Sequence, residues 1–539
     1  MSMYPTLIDL IKQSSKHHRS ALKVPRPNQD GYEEATFQEL ESWSSALAAA
    51  LQQRGIQPGD KIALIAKPRL EWAISLHGIL RAGAVVVPID ASLQPEEAQR
   101  LMAATEARWA MSGNDWVVQL ANDPSLKARV PTLEQLVSFD AYDLPGVLAF
   151  GQLLSSAQPL KPVTRKPSDL ALLMCTSGTT GNAKAVMLSH ENLSSNVLNA
   201  LKVVDIRGED VVLEIAPWNH IFGVLVLLVS AYTGCKLIYT DDYRKLAPLM
   251  DENGVTILVG VPKLFHGMWD KLEQSLNENP LSRLLYRVVP RLVGRKVTRR
   301  FGGKLRFMVC GSAPLDPKVM QGLRNLGIGI IEGYGMTETS PVLTASTAFN
   351  QKYGSVGPAI PTLELKIADP DAEGIGEVVV RGPNVMKGYF KNEARTRETI
   401  DEDGWLHTGD LGTLDAEGWL YLKGRKKNVI VLENGKNVYP EEIEFELAKI
   451  PQIAEVMVCG GKRKGVEVVK VLVYPNYEKL DAKSPERIKV MIWEEVKERS
   501  QNLAHFKRPK SEHDVIIVDK PFEKTSTLDI KRYLYSEAA

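Results

Sequence analysis

Thr176-Ser-Gly-Thr-Thr-Gly-Asn-Ala-Lys184 follows directly on the apolar stretch Leu170–Cys175 (LALLMC). The apolar stretch reads as a buried strand, and the polar segment after it reads as the loop leaving that strand. Gly178 and Gly181 permit backbone angles that turn successive amides toward one point. The hydroxyls of Thr176, Ser177, Thr179 and Thr180 add donors, and Lys184 adds a positive charge. Such a concentration suits a polyphosphate. It is not the Walker arrangement, in which Gly-Lys-Ser/Thr closes the loop. Ser, Thr and Gly also dominate ordinary turns, so this segment alone leaves a plain strand–turn open.

Working outward, short apolar runs alternate with longer helical patterns. Lys61–Ala66 reads as a strand, Glu71–Ala82 as a helix and Ala84–Ile89 as a strand. The same rhythm returns at Val211–Ala216, Lys236–Thr240, Thr256–Val261, Lys304–Cys310 and Gly327–Ile331. Strand–helix alternation predicts α/β layers of mostly parallel strands, with ligands at loops leaving their carboxyl ends. After about residue 350 the strands shorten (Glu364–Ile367, Gly376–Arg381, Trp419–Leu422) between Gly and Asp turns, predicting a β-rich subdomain. Beyond Arg425, a hairpin (Ala454–Cys459, Val466–Tyr474), a helix near Pro485–Gln501 and Asp514–Val518 predict a separate α+β domain. The expected division is 1–426 and 427–539. A chain of 539 residues exceeds what one hydrophobic core supports, in keeping with two or more domains.

The formal net charge of +1 argues against a general attraction to nucleic acid. One local exception is Arg291–Arg300 (RLVGRKVTRR), read first as a solvated helix face, with contact to an anionic cofactor or membrane left open. Cys175, Cys235, Cys310 and Cys459 share no metal or redox spacing, and each reads as a small buried hydrophobe in a reducing compartment. The N-terminus lacks the pattern of a secretory signal, and Ile221–Ser230 is too short to span a bilayer. A cytoplasmic location is therefore expected, with a core helix at 221–230.

Further motifs stand in fixed order. Gly311-Ser312-Ala313-Pro314 follows a strand. Glu332-Gly333-Tyr334-Gly335-Met-Thr337-Glu338-Thr339 follows the next. Trp405-Leu-His-Thr-Gly-Asp410 and Gly424-Arg425-Lys-Lys-Asn428 come later, and Pro217-Trp-Asn-His220-Ile-Phe-Gly223 lies upstream. Read singly, each has a bland structural explanation. As an ordered series covering about residues 10 to 533, they resemble the adenylate-forming (AMP-binding) superfamily, and bacterial long-chain fatty acyl-CoA synthetases in particular. Ala183 and Ala185 replace the family's usual proline and glycine in the phosphate loop, and neither change removes a phosphate-binding group.

The resemblance implies an acid–thiol ligase. A fatty acid and ATP give acyl-AMP and pyrophosphate, and coenzyme A then takes the acyl group. It implies that the 176–184 loop holds the phosphates and that Gly311, Ser312, Ala313, Glu332, Gly333 and Gly335 line the adenine pocket. Tyr334 stacks on adenine, Thr337 meets the α-phosphate, Glu338 and Thr176 hold Mg²⁺, and Asp410 and Arg425 meet the ribose. His220 positions the acid, Lys427 marks the hinge of a mobile C-terminal lid, and Lys436 belongs to the loop that turns inward for thioester formation. The stretch Trp218–Val229 has no acidic side chain to meet an ammonium group, favouring an uncharged tail. Transfer to a carrier protein, lactone formation, and a catalytically weak nucleotide- or acyl-binding relative remain alternatives. A homodimer and peripheral membrane contact are also left open.

The C-terminal signature departs from the family. Lys524-Thr-Ser-Thr-Leu-Asp-Ile-Lys-Arg532 places Asp529 where the family's adenylation lysine is usual, with Lys531 or Lys524 the only nearby substitutes. A carboxylate there opposes the approach of two anions. Replacing Asp529 with Lys is expected to raise the rate of acyl-AMP formation in single-turnover assays, and no gain or a loss contradicts this reading.

Overall fold

A computed structural model describes residues 3–13, 19–140, 144–155, 159–176, 184–278, 280–311, 313–433, 435–463, 465–480, 484–525 and 530–535. Two large sheets dominate. One orders its strands Val147–Ala149, Gln135–Ser138, Ala107–Ser112, Lys61–Ile65, Val85–Ile89, Leu170–Thr176 and Lys184–Ser189. All are parallel except the last, which returns antiparallel to Leu170–Thr176. The residues 176–184 therefore join the two arms of a hairpin, with Thr176 paired to Lys184.

The other sheet has a parallel centre, Gly329–Gly335, Phe307–Cys310, Ile257–Gly260, Val211–Glu214, Lys236–Tyr239 and Ser20–Pro25. Val342–Ala345 and Tyr32–Thr36 close its two edges antiparallel. The sequence reading begins its alternation near residue 60 and misses the strands at 20–25 and 32–36. Ser20–Pro25 forms a local antiparallel hairpin with Tyr32–Thr36 and joins the sheet through Lys236–Tyr239, more than 200 residues downstream. The next helix, Phe37–Gln53, is announced by a capping box in which Thr36 and Glu39 satisfy each other's backbone amides.

Helices with little polar surface fill the space between these sheets. Leu70–Arg81 is buried from Trp72 onward and touches both Ser20–Pro25 and Lys61–Ile65, so it is shared by the two sheets. Arg81 pairs with Glu41, and burial pushes His77 down to about 3, keeping it neutral. Ile221–Thr233 is the second such helix, apolar on all sides and ended by Gly234 at φ +73°. No helix among the described residues is long and apolar enough to cross a membrane. Trp218 stacks between Trp72 and Tyr239, with ring centroids 5.5 Å from each, and fixes the turn that enters Ile221–Thr233.

The β-rich subdomain is a four-stranded antiparallel sheet, Glu364–Ala368, Gly376–Arg381, Leu406–Leu414 and Leu420–Arg425. After it, Ile453–Arg463 and Val466–Pro475 form a long hairpin, joined in parallel by Val515–Ile517 and packed against Pro440–Leu447 and Pro485–Arg499. The four cysteines are free; Cys235 and Cys310 are buried as expected, whereas Cys175 and Cys459 are only partly so.

Glycine packing gives a test in which two effects take opposite signs. A Cβ on Gly322, in Pro317–Asn325, would stand 2.0 Å from the Trp269 ring, while one on Gly267, in Pro262–Asn277, meets nothing within 4 Å. Ala normally favours a helix over Gly by up to about 1 kcal/mol. Gly267→Ala is therefore expected to stabilise the chain by about that much. Gly322→Ala is expected to destabilise it by roughly 1–3 kcal/mol through overpacking. Denaturant unfolding of both variants checks this, and a shift of the same sign for both contradicts it.

Candidate active site

The strands Phe307–Cys310 and Gly329–Gly335 lie side by side, with Cys310 opposite Glu332, so the Gly311–Ala313 and Glu332–Gly335 segments emerge at one sheet edge. Steric limits require the glycines there. A Cβ at 335 would fall 1.9 Å from the Pro341 carbonyl oxygen, and one at 333 would fall 3.2 Å from that of Thr344. The tight pairing with Val342–Ala345 thus positions Tyr334, and the chain turns at once into the short 3₁₀ helix Thr337–Thr339. That turn is held from outside by two buried amides. Asn196 and Asn384 each donate to the carbonyls of Thr339 and Val342.

Glu332 is almost wholly buried, at 4 % exposed, and its Oε1 accepts a 3.0 Å hydrogen bond from the Leu315 amide. Its side chain therefore turns back to hold the 311–315 loop rather than outward. Sequence reasoning grouped it with the nucleotide contacts, and the structure gives its carboxyl a positioning part. Burial pushes that carboxyl up to about 7, against the pull of the Leu315 amide.

Tyr334 connects this edge to the β-rich subdomain. Its hydroxyl donates to Asp410 Oδ2 at 2.6 Å, and Asp410 Oδ1 pairs with Arg425 Nε at 2.8 Å. Asp410 and Arg425 face each other across adjacent strands. Asp410 is 6 % exposed, and burial raises its pKa while the Arg425 charge and the Tyr334 hydrogen bond lower it, burial being the larger. Each carboxylate oxygen keeps a second lone pair, so ribose hydroxyls remain acceptable partners.

Glu377, which sequence reasoning missed, braces the same loop. It accepts from the Gly409 amide at 3.0 Å and meets His407 Nδ1 at 3.1 Å and Lys426 Nζ at 2.8 Å. Burial raises its pKa, but the bonds from Lys426 and His407 outweigh this and hold it below the usual carboxylate value.

A second cluster forms at the near end of the phosphate loop. Tyr389 is bridged to Val186 on the strand Lys184–Ser189, and its hydroxyl donates to Glu338 Oε1 at 2.8 Å. Lys184 Nζ lies 5.4 Å from the centroid of the same ring. Lys184 and Glu338, 154 positions apart in the numbering, thereby meet around one aromatic ring. Desolvation and the Arg395 charge lower the Lys184 pKa, while Glu338 and Glu398 raise it. Tyr389 was not foreseen, because its only signal is a Gly-Tyr pair whose partners are remote in sequence. Ser177, Gly178, Thr179, Thr180, Gly181, Ser312 and Asp529 lie outside the described residues, as does the side chain of Thr176. Among the described residues no group of three or more His, Cys, Asp or Glu is arranged to hold a metal ion. Glu338 offers an oxygen donor of the kind Mg²⁺ takes, an ion usually held by one or two carboxylates plus substrate phosphates.

His220 caps the buried helix Ile221–Thr233. The ring of Phe222, two residues on, rests against Gly311, where a Cβ would come 3.1 Å from it. The His220–Gly223 and Gly311–Pro314 motifs therefore touch.

The segment after Arg425 turns into the C-terminal part. Gly424, at φ +153°, leaves room for Glu441, whose Oε1 accepts from Asn428 Nδ2 at 2.6 Å. Desolvation and the charges of Arg425, Lys184 and Arg532 lower the pKa of Lys427. Arg532 is held by Glu444 and by the Val458 carbonyl. Lys524 is paired with Glu455 within the C-terminal part, and Lys436 lies 4.5 Å from the Phe506 ring centroid. Lys524 is thus already committed to a carboxylate.

The Tyr334–Asp410–Arg425 cluster and its glycine turns, carried on a frame of two large α/β sheets, define a class. The chain belongs to the AMP-binding enzyme family, whose model matches residues 12–390. The model of the AMP-binding enzyme C-terminal domain matches residues 427–538. Among its relatives, the long-chain-fatty-acid–CoA ligase FadD15 of Mycobacterium bovis is 30% identical over 79% of this chain and 75% of its own. The peroxisomal long chain acyl-CoA synthetase 6 of Arabidopsis thaliana is 31% identical over 83% of this chain and 69% of its own. The crystal structure of ATP-bound MatB from Rhodopseudomonas palustris superposes with a TM-score of 0.79 at 26% identity, covering 98% of each chain.

The Glu332 carboxyl supplies a pH test. Its folded value of about 7 exceeds the ordinary 4.5, so the protonated form is favoured by folding. The stability this contributes is present below 4.5 and is lost as pH rises through about 7. Glu332→Gln keeps the acceptor for Leu315 and removes the titration. It is expected to melt higher than wild type at pH 8, by on the order of 2 kcal/mol, and nearly alike at pH 5. Equal pH profiles for the two proteins contradict the assignment.

Proposed function

We propose that this chain is an AMP-forming acid–thiol ligase that activates a medium- or long-chain fatty acid and transfers it to coenzyme A. The observation that carries the reading is the junction at Gly311. There Phe222, on the helix that His220 caps, meets the edge that presents Tyr334. Beyond His220 the helix Ile221–Thr233 is wholly apolar in its first turns, suiting an alkyl tail rather than an amino acid. The named activities of the relatives agree with this.

In the reaction the acid's carboxylate oxygen attacks the α-phosphorus of ATP, and the bond to the β-phosphate oxygen breaks to release pyrophosphate. The thiol sulfur of coenzyme A then attacks the acyl carbon, and AMP leaves with the electron pair of the mixed anhydride. The protein's part is alignment and neutralisation of charge. Tyr334 supplies a ring for adenine, held by Asp410. Asp410 and Arg425 face the ribose. Lys184 and the amides of the 176–184 loop meet the phosphates, Thr337 the α-phosphate, and His220 orients the acid. Glu338 and Thr176 would hold Mg²⁺, which would supply further neutralisation of the phosphates.

Residues 427–539 act as a lid that turns about Lys427 and brings the Gly435–Pro440 loop, with Lys436, to the acyl-AMP for the second half-reaction. Lys531 is the substitute for the missing lysine of the first. The enzyme works in the cytoplasm. A carrier protein in place of coenzyme A, and a homodimer, are the nearest variants of this reading.

Pyrophosphate release from MgATP, measured with acids from acetate to palmitate with and without coenzyme A, tests it. Release is expected to require a long acid and to accelerate with coenzyme A, yielding acyl-CoA. His220→Ala is expected to lower kcat/KM for the acid by roughly 10–100-fold with little change for ATP. ATP-dependent thermal stabilisation without pyrophosphate release from any acid overturns the ligase reading in favour of a nucleotide-binding relative.

A further inference from the structure

Between the strands Ile257–Gly260 and Phe307–Cys310 the chain inserts three helices, and the last two, Pro280–Val288 and Pro290–Arg299, are sharply two-sided. Their inner side is fixed to the body. The Tyr286 ring lies 6.5 Å from that of Trp269, and Val293 and Val297 pack on the core beneath. Gly294 abuts Leu326 so closely that a Cβ would stand 1.8 Å from its carbonyl oxygen. The pair is therefore pressed onto the domain and presents its other side outward.

That outer side is not an ordinary solvated face. Leu284, Leu285, Val288 and Leu292 are 56%, 43%, 69% and 57% exposed; the first three share one side of Pro280–Val288, and Leu292, in the first turn of Pro290–Arg299, adds a fourth member to the aliphatic stripe. Residues 280–300 hold seven arginines and lysines and no acidic residue, in a chain whose net charge is only +1, so the rest of the chain is net negative. Arg283, Arg287, Arg291 and Arg295 recur every fourth position beside the stripe, and all are exposed. None of the seven cations is ion-paired to another described residue. A solvated face would carry both signs of charge and few aliphatic groups.

We infer that this helix pair is the surface by which the protein rests on an anionic lipid bilayer. The aliphatic stripe enters the boundary between headgroups and acyl chains, and the arginines alongside it bind lipid phosphates in bidentate fashion. Nucleic acid would use the cations but gain nothing from four exposed aliphatic side chains. Charge complementarity and the apolar stripe together select the bilayer. The inference goes beyond the ligase reading and does not depend on it, since it rests on this surface alone.

The test uses the full chain without ATP or acid, so that its failure is separate from any failure of the ligase reading. Sedimentation is measured with phosphatidylcholine vesicles, and with vesicles carrying about a third phosphatidylglycerol. The chain is expected to bind the anionic vesicles, to ignore the neutral ones, and to be released by salt near 1 M, where screening is short-ranged. The variant R287E/R291E/R295E is expected to lose roughly a hundredfold or more in vesicle affinity, at about fivefold or more for each charge. The variant L284S/V288S/L292S is expected to lose about tenfold. Both substitute exposed side chains, and matched circular dichroism and melting establish that they are folded. No partition to anionic vesicles at low salt, or variants that bind as wild type does, overturns the inference. So does a wild-type dimer that the L284S/V288S/L292S variant splits on size exclusion, which would make the stripe a subunit interface.

Discussion

One buried carboxylate links the parts of this molecule that must act together. Asp410 and Arg425 come from adjacent strands of the β-rich subdomain, and Tyr334 from the larger sheet. A carboxylate as buried as this costs stability unless hydrogen-bonded and paired. Its two partners meet that requirement, and in doing so they fix Tyr334, on the larger sheet, against the β-rich subdomain, 76 positions away in the numbering. Tyr334 thereby gains a defined orientation, and the approach to the C-terminal part starts from a fixed point.

Around that link, close approach is obtained by deletion of side chains. Gly333 and Gly335 let two strands cross tightly at Tyr334, Gly311 admits the Phe222 ring, and Gly424 admits Glu441. Buried polar groups do the remaining positioning from behind. Asn196 and Asn384 hold the Thr337–Thr339 turn, Glu332 holds the 311–315 loop, and Glu377 holds His407, Gly409 and Lys426. The groups expected to meet substrates are thus carried on short turns, but each turn is braced by a side chain whose own environment is nearly dry. Such an arrangement limits the reorganisation left to be done when substrates bind.

Most of this frame was legible in the sequence. The apolar runs at 61–66, 84–89, 170–175, 211–216 and 256–261 all become strands, because parallel strands buried on both faces leave a continuous apolar signature. The strands at 20–25 and 32–36 were not read from the sequence; they pair with each other as a hairpin, but their place in the sheet is set by Lys236–Tyr239, over 200 residues away. The ordered motifs at 311–314, 332–339, 405–410 and 424–428 could be named from resemblance alone. The braces could not, because nothing in the local pattern of Asn196, Glu377, Asn384 or Tyr389 tells which remote loop each will hold. Glu332 shows the same limit: its motif groups it with the site, and only the fold shows its carboxyl turned toward Leu315.

Asp410 is thus assigned two tasks, organising Tyr334 and meeting the nucleotide. Calorimetric titration of AMP into wild type and Asp410→Asn, with the fold of each verified by circular dichroism, addresses both at once. Asn keeps the shape but loses the charge that pairs with Arg425 and the stronger acceptor for Tyr334 and ribose hydroxyls. The expected outcome is a loss of roughly 10–100-fold in AMP affinity for Asp410→Asn, as when a charged hydrogen-bonding group is removed. Unchanged AMP affinity in the folded variant would contradict the assignment.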